Sequence, residues 1–238
     1  TFTELKALME TTGAMVHEDD FLSFISKDKS VQNHVRFYLV LGDEFKNLKE
    51  DEHFHGRWSV DESLSTAVHE ALHSVYRTLD DKELLSQEDL VTRFLKEIKD
   101  VADQYKNEEV ARRWLNISKK IAQNPLGEWG PADSQNIKTR GIKDYAFLMM
   151  RKHGSPMHFR EVAKAIVDTF GRKTHVATTH NELIKDPRFV LVGRGYYALA
   201  EWGYKPGIVR DVIKEILVKE GPLSKEDVIE RVLKERFL

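Results

Sequence analysis

Residues 67–75, Ala-Val-His-Glu-Ala-Leu-His-Ser-Val, set His69, Glu70 and His73 in the H-E-x-x-H spacing by which zinc peptidases hold their metal. On a helix, His at i and i+4 lie one turn apart, so both imidazoles can reach one ion while the Glu activates the bound water. Taking about 100° per residue with Val68 at zero, Leu64, Val68, Ala71, Leu72, Val75 and Leu79 gather into one apolar stripe. His69 and His73 then fall together at roughly 100° to 140°, on the polar flank, and Glu70 at about 200° points away from the core. The pair is expected to look into solvent. A third ligand is missing as well. The extended motif needs Gly and His where this chain has Tyr76 and Leu79, and Glu88 and Glu97 downstream belong to an ordinary amphipathic pattern. No metal site is expected here.

Other chemistry is equally thin. His53 and His55 flank Phe54 and read as a polar wing tip. Gly193-Arg194-Gly195 lacks the third glycine and the following helix of a phosphate-binding loop. With zero cysteines there are no disulfides, thiolate nucleophiles or cysteine zinc ligands. No nucleophile, base and orienting group stand at a telling spacing. The chain is expected to be no enzyme and to need no cofactor.

Charge is more informative. The net of -2 over 238 residues hides a split: residues 138–205 carry 13 Lys/Arg against 6 Asp/Glu, a net of +7, while residues 1–137 carry 17 against 26, a net of -9. One segment suits a polyanion and the other avoids it. No apolar run approaches the roughly 18 residues of a membrane span, and no secretory leader is visible at the start, so a cytoplasmic location is expected.

The elements that must position any site repeat themselves. "LKALMETTGAMVHEDDFLSFI" at 5–25, "YAFLMMRKHGSPMHFREVAKAI" at 145–166 and "VIKEILVKEGPLSKEDVIERV" at 212–232 each read as helix, Gly, apolar step, helix. Gly13, Gly154 and Gly221 stand where a helix ends, and "LDDKELLSQEDLVTRFL" at 79–95 is a looser version. A helix over 31–41 and a hairpin from Phe45 to Val60 complete the first copy. A helix over 174–186, then strands 188–192 and 196–200, complete another. Helix, strand, helix, helix, hairpin is the winged-helix order. The expected fold is mainly α with small β-hairpins, in tandem winged-helix-like units at 1–61, 62–136 and 137–205, with the first helices of a further, truncated unit at 206–238. Thr at position 1 and a stop before any third helix suggest a piece of a longer protein.

Within 137–205, "SPMHFREVAKAI" and "TTHNELIKDPRFVLVGRGYYALAEWGY" resemble the HARE-type helix-turn-helix domain, a winged helix of bacterial RNA polymerase delta subunits, restriction endonucleases and chromatin proteins. More weakly, "NPLGEWGPAD" at 124–133 and "YKPGIVRDVI" at 204–213 resemble bacterial proteins that join such domains to sigma-factor-like modules. The resemblance implies nucleic-acid association and transcription, without catalysis by this domain.

The residues themselves point the same way. A winged helix commonly sets its third helix in the major groove and its wing on neighbouring backbone. Over 174–186, Val176, Thr179, His180, Leu183 and Ile184 make the expected inward face, leaving His175, Thr178, Asn181, Glu182 and Lys185 outward. Thr178 and Asn181 suit base edges or phosphates, and Arg172 with Lys173 precede a helix N-terminus that favours phosphate. Arg194 tips the wing, while Arg188 and Lys205 near the strand ends add phosphate contacts. Against this, Arg188 has Asp186 and Glu201 as structural partners, His180 suits packing, and Glu182 repels phosphate. The expected function is a DNA-binding, transcription-associated protein, sigma-factor-like or polymerase-associated. The alternative is a scaffold docking on RNA polymerase or chromatin-like partners without touching DNA.

Overall fold

The computed structural model describes residues 1–204 and 209–235 and forms two compact units, Thr1–Lys138 and Thr139–Leu238. The first unit opens with α1 (Phe2–Thr11), β1 (Met15–His17), α2 (Glu18–Ile25), α3 (Lys29–Leu41), β2 (Lys46–Leu48) and β3 (Arg57–Ser59). It continues with α4 (Glu62–Thr78), α5 (Gln87–Glu97), α6 (Glu108–Leu115), β4 (Ile121–Gln123) and β5 (Trp129–Pro131). The second unit holds α7 (Ile142–His153), β6 (Met157–His158), α8 (Phe159–Phe170), α9 (Val176–Lys185), β7 (Phe189–Leu191), β8 (Tyr196–Leu199), α10 (Val209–Glu220) and α11 (Lys225–Glu235).

Three copies of one plan are visible. In the first, the strands lie in the order β1-β3-β2, with Val16 opposite Trp58 and Asn47 opposite Trp58 on its other side. In the third the order is β6-β8-β7, with Met157 and Leu191 flanking Tyr197. The second copy keeps the pattern in reduced form: β4 pairs with β5, and Leu85, just before α5, bridges to Trp129 where a first strand would lie. The fold is therefore mainly α with small hairpins, built as tandem winged-helix-like repeats. α10 and α11 pack through Val212, Ile216 and Val232.

Local chemistry starts each helix where it starts. Asp28, Asp61, Ser86 and Asn107 accept backbone N–H bonds at the heads of α3, α4, α5 and α6, satisfying donors that a helix leaves open. The apolar stripe of α4 is buried as its spacing implies, through Leu64, Val68, Ala71, Leu72 and Val75.

The first two copies are welded together. Ala14, Met15 and Phe54 of the first lie in the same core as Val68, Leu90, Phe94, Trp114 and Leu115 of the second. Trp114 Nε1 donates to the Gly13 carbonyl at 3.1 Å, and Arg113 donates to the Thr12 carbonyl at 3.2 Å. Gly13, at φ 117°, has to be glycine: a Cβ there would stand 3.0 Å from Val110 Cγ1 and 3.2 Å from Trp114 Nε1. The β2–β3 loop joins in, with His55 N–H donating to the Ile117 carbonyl and Lys119 N–H to that of His53. α6 is thus sealed, with Val110, Ala111, Trp114 and Leu115 all buried.

Trp114→Ala removes a fully buried ring and its hydrogen bond, which is expected to cost about 3–5 kcal/mol. Urea unfolding followed in both copies of this unit should move to lower midpoint in one transition. A transition in which residues 1–61 are unmoved would contradict the shared core.

Candidate nucleic-acid interface

The H-E-x-x-H helix has a structural task. His69 stacks on Phe54 with ring centroids 4.3 Å apart, and its Nε2 accepts a hydrogen bond from Arg57 Nε at 2.8 Å. Arg57, only 5% exposed on β3, also donates to the Lys49 and His55 carbonyls and pairs with Asp51. His73 meets the edge of His53 at 4.9 Å. The flank expected to face solvent is covered by the Phe54 loop, a contact that helical periodicity cannot reveal. Among the described residues no three His, Asp or Glu side chains come together in a metal-holding group. Burial first, and then the neighbouring Arg57 charge, push the His69 pKa down to about 4.

In the third copy, α9 is seated by Thr179 and Leu183, one turn apart and buried, while His180 stacks on Phe159 at 4.1 Å. The buried face is narrower than the sequence suggested. Val176 and Ile184, expected inward, are 41% and 62% exposed. The reason is geometric: α9 packs on α7 and α8 through the line of Thr179 and Leu183, from which Ile184 is turned by about 100° or more, while Val176 stands at the open first residue of the helix. Thr178, Asn181 and Lys185, spaced i, i+3, i+7, form an exposed polar strip with His175 at its head.

The head of α9 is open. His175 occupies the N-cap without a side-chain bond to the helix, so the first amides have no side-chain partner there. Ile142, Arg172, Lys173, Thr174, His175 and Thr178 line a groove at this end. Arg172 is steadied by Tyr145, whose ring lies 5.3 Å from the guanidinium and 5.0 Å from Phe170. Two cationic side chains, a hydroxyl and the positive end of a helix dipole meet in one groove, which is the chemistry of phosphate recognition.

Arg188 does not join them. Its guanidinium donates to Asp186 at 2.9 and 2.8 Å and to Asp144 at 2.8 Å, with the side chain only 19% exposed. Asp144 in turn accepts from the backbone N–H groups of Arg140 and Gly141, so the cluster clamps the head of α7 to the start of β7. The bond to Asp186 chiefly, then that to Asp144, raises the Arg188 pKa and outweighs burial. The bond from Arg188 lowers the Asp186 pKa. Burial opposes ionisation of Asp144, yet its hydrogen bonds hold its pKa low. A guanidinium bound on both sides by carboxylates is unavailable to phosphate, which corrects the expectation for Arg188. Lys205 lies outside the described residues.

The wing is held at its root. Gly195, at φ 80°, accepts from Phe159 N–H through its carbonyl at 3.0 Å, and a Cβ there would sit 2.6 Å from His158 Nε2. His158 also meets the Tyr196 ring edge at 5.3 Å, fastening the hairpin to the first turn of α8. Arg194 is exposed at the tip beside this contact. Arg160, exposed in that turn with its guanidinium 5.9 Å from the Phe159 ring, adds a cation near the wing that no motif or spacing singles out in the sequence.

A winged helix whose third helix presents an open, basic head and a polar strip belongs to the helix-turn-helix class. Residues 140–202, under a third of the chain, match the HARE-HTH family, whose description names ASXL and a "restriction endonuclease HTH domain". This segment is a HARE-type winged helix-turn-helix domain. Among curated proteins none matches the chain.

The titration of His69 has a sign that can be tested. Its pKa falls from 6.5 unfolded to about 4 folded, so its contribution to stability is complete above pH 6.5 and is lost as pH falls toward 4. The slope is at most about 1.4 kcal/mol per pH unit. His69→Gln keeps an oxygen to accept from Arg57 but has no proton to gain. Urea midpoints measured between neutral pH and about pH 4.5 should fall less steeply in this variant. His55 and His73, also held low by burial, leave a residual slope.

Proposed function

We propose that the chain is a DNA-binding, transcription-associated protein in which the HARE-type domain makes the nucleic-acid contact. Arg172, Lys173 and the α9 head seat a phosphate. His175, Thr178, Asn181 and Lys185 face the groove, and Arg194 reaches neighbouring backbone. The observation that carries this reading is the uncapped head of α9 beside two cations, in a segment of net charge +7. Neutralising phosphates with Lys and Arg releases counterions, so such a surface favours a duplex. Arg160 adds a further cation near the wing. The half-buried Glu182 limits contact on its side of the helix.

The function proposed involves no catalysis, metal or cofactor. The proposed setting is a bacterial cytoplasm, with RNA polymerase as the larger partner. The charge of the HARE segment and the resemblance of its neighbours to sigma-factor-like proteins support that setting. No helix among the described residues is long and apolar enough to cross a membrane.

Gel-shift titration over a range of salt tests the contact. Affinity is expected to fall linearly in log salt, with a slope near -0.9 per neutralised phosphate. Lys173→Glu with Arg194→Glu should abolish binding, while Asn181→Ala should weaken it without changing the slope. A wild-type chain that retards no DNA at low salt would sink the proposal.

A further inference from the structure

The first copy carries a different surface on its third helix. α3 is seated by Val35 and Leu39, one turn apart, as α9 is by Thr179 and Leu183. Its outer face ends in Phe37, Val40 and Leu41, which are 61%, 70% and 55% exposed, with Tyr38 beside them at 41%. Single exposed apolar side chains are ordinary, but four within five consecutive residues form a patch that a lone protein seldom leaves open.

Charge narrows what fits there. The last turn of α3 holds no basic residue, so its partly negative carbonyl end is uncompensated. Asp43 and Glu44 follow at once, both exposed. Arg36, on the same helix, is already paired with Glu18 at 2.8 Å and with Asp19 at 3.4 Å. Residues 1–137 carry a net of -9, which repels a duplex. An occupant that carries basic side chains complements this acidic, carbonyl-ended side of the ridge.

We infer that Phe37, Val40 and Leu41, with Asp43 and Glu44 at their end, form a docking ridge for an amphipathic helix of a partner protein. The partner's apolar stripe covers the three side chains, and its Lys or Arg side chains meet the two carboxylates. The footprint is small, so the association is a transient one. It does not depend on the DNA contact, which uses a different copy.

The full chain can be tested with two synthetic helical peptides, both with Leu at i, i+3, i+4 and i+7, one flanked by Lys and the other by Glu. By fluorescence anisotropy the Lys peptide is expected to bind at least about tenfold more tightly than the Glu peptide. Phe37→Ser with Leu41→Ser alters only exposed positions, and an unchanged urea midpoint verifies the fold. It should weaken the Lys peptide about tenfold or more. Asp43→Lys with Glu44→Lys should reverse the preference. Absence of Lys-peptide binding, or equal binding by wild type and the serine variant, overturns the proposal. So does sedimentation of a wild-type dimer that the serine variant converts to monomer, since a second copy would then occupy the ridge.

Discussion

A short helix can hold its place through a single pair of side chains one turn apart, and that economy governs this protein. Val35 with Leu39 seats α3, and Thr179 with Leu183 seats α9. Apart from Arg36, Tyr38 and His180, which meet neighbouring elements, the outer faces of those helices are left to carry chemistry. α6 has two such pairs, Val110 with Trp114 and Ala111 with Leu115, and all four are buried. The extra stripe lets it bind Gly13 and β1 of the preceding copy as well as its own core. One fold therefore yields an apolar outer face, a sealed helix and a polar, basic one, according to what lies outside the seating pair.

Electrostatics sort in the same way. Several arginines serve the interior: Arg57 holds the β2–β3 loop, Arg36 ties α3 to the head of α2, and Arg188 clamps α7 to β7. The cluster of Lys143, Arg188, Asp144 and Asp186 contains two charges of each sign, so its internal pairing leaves the segment's net of +7 unchanged. What differs is the distribution. Among the described residues, exposed cations stand at the head of α9, at the wing tip and in the first turn of α8, while Arg188 is engaged by carboxylates.

Much of this was legible before any coordinates. The repeat of helix, Gly, apolar step and helix located the copies, and the "DPRFVLVGRGYYALAEWG" stretch identified the HARE-type segment that the family comparison bears out. Periodicity also found the buried stripe of α4. It failed where a distant part of the chain decides the environment. The solvent-facing expectation for His69 and His73 missed Phe54, which folds onto them from the preceding copy. Val176 and Ile184 fit an amphipathic pattern, yet Thr179 and Leu183 are the buried residues of α9. Arg188 resembled a phosphate ligand because Asp144, its second partner, is 44 residues away.

The burial of α6 sets a limit on how the chain can be divided. Cutting between α3's wing and α4 would strip β1 from Val110 and Trp114 and expose Phe54, Ala14 and Met15 on the other piece. Both fragments would present sticky faces to each other and to any bystander. Any division of the amino-terminal half that keeps this shared core whole has to carry both repeats, as the compact unit Thr1–Lys138 does.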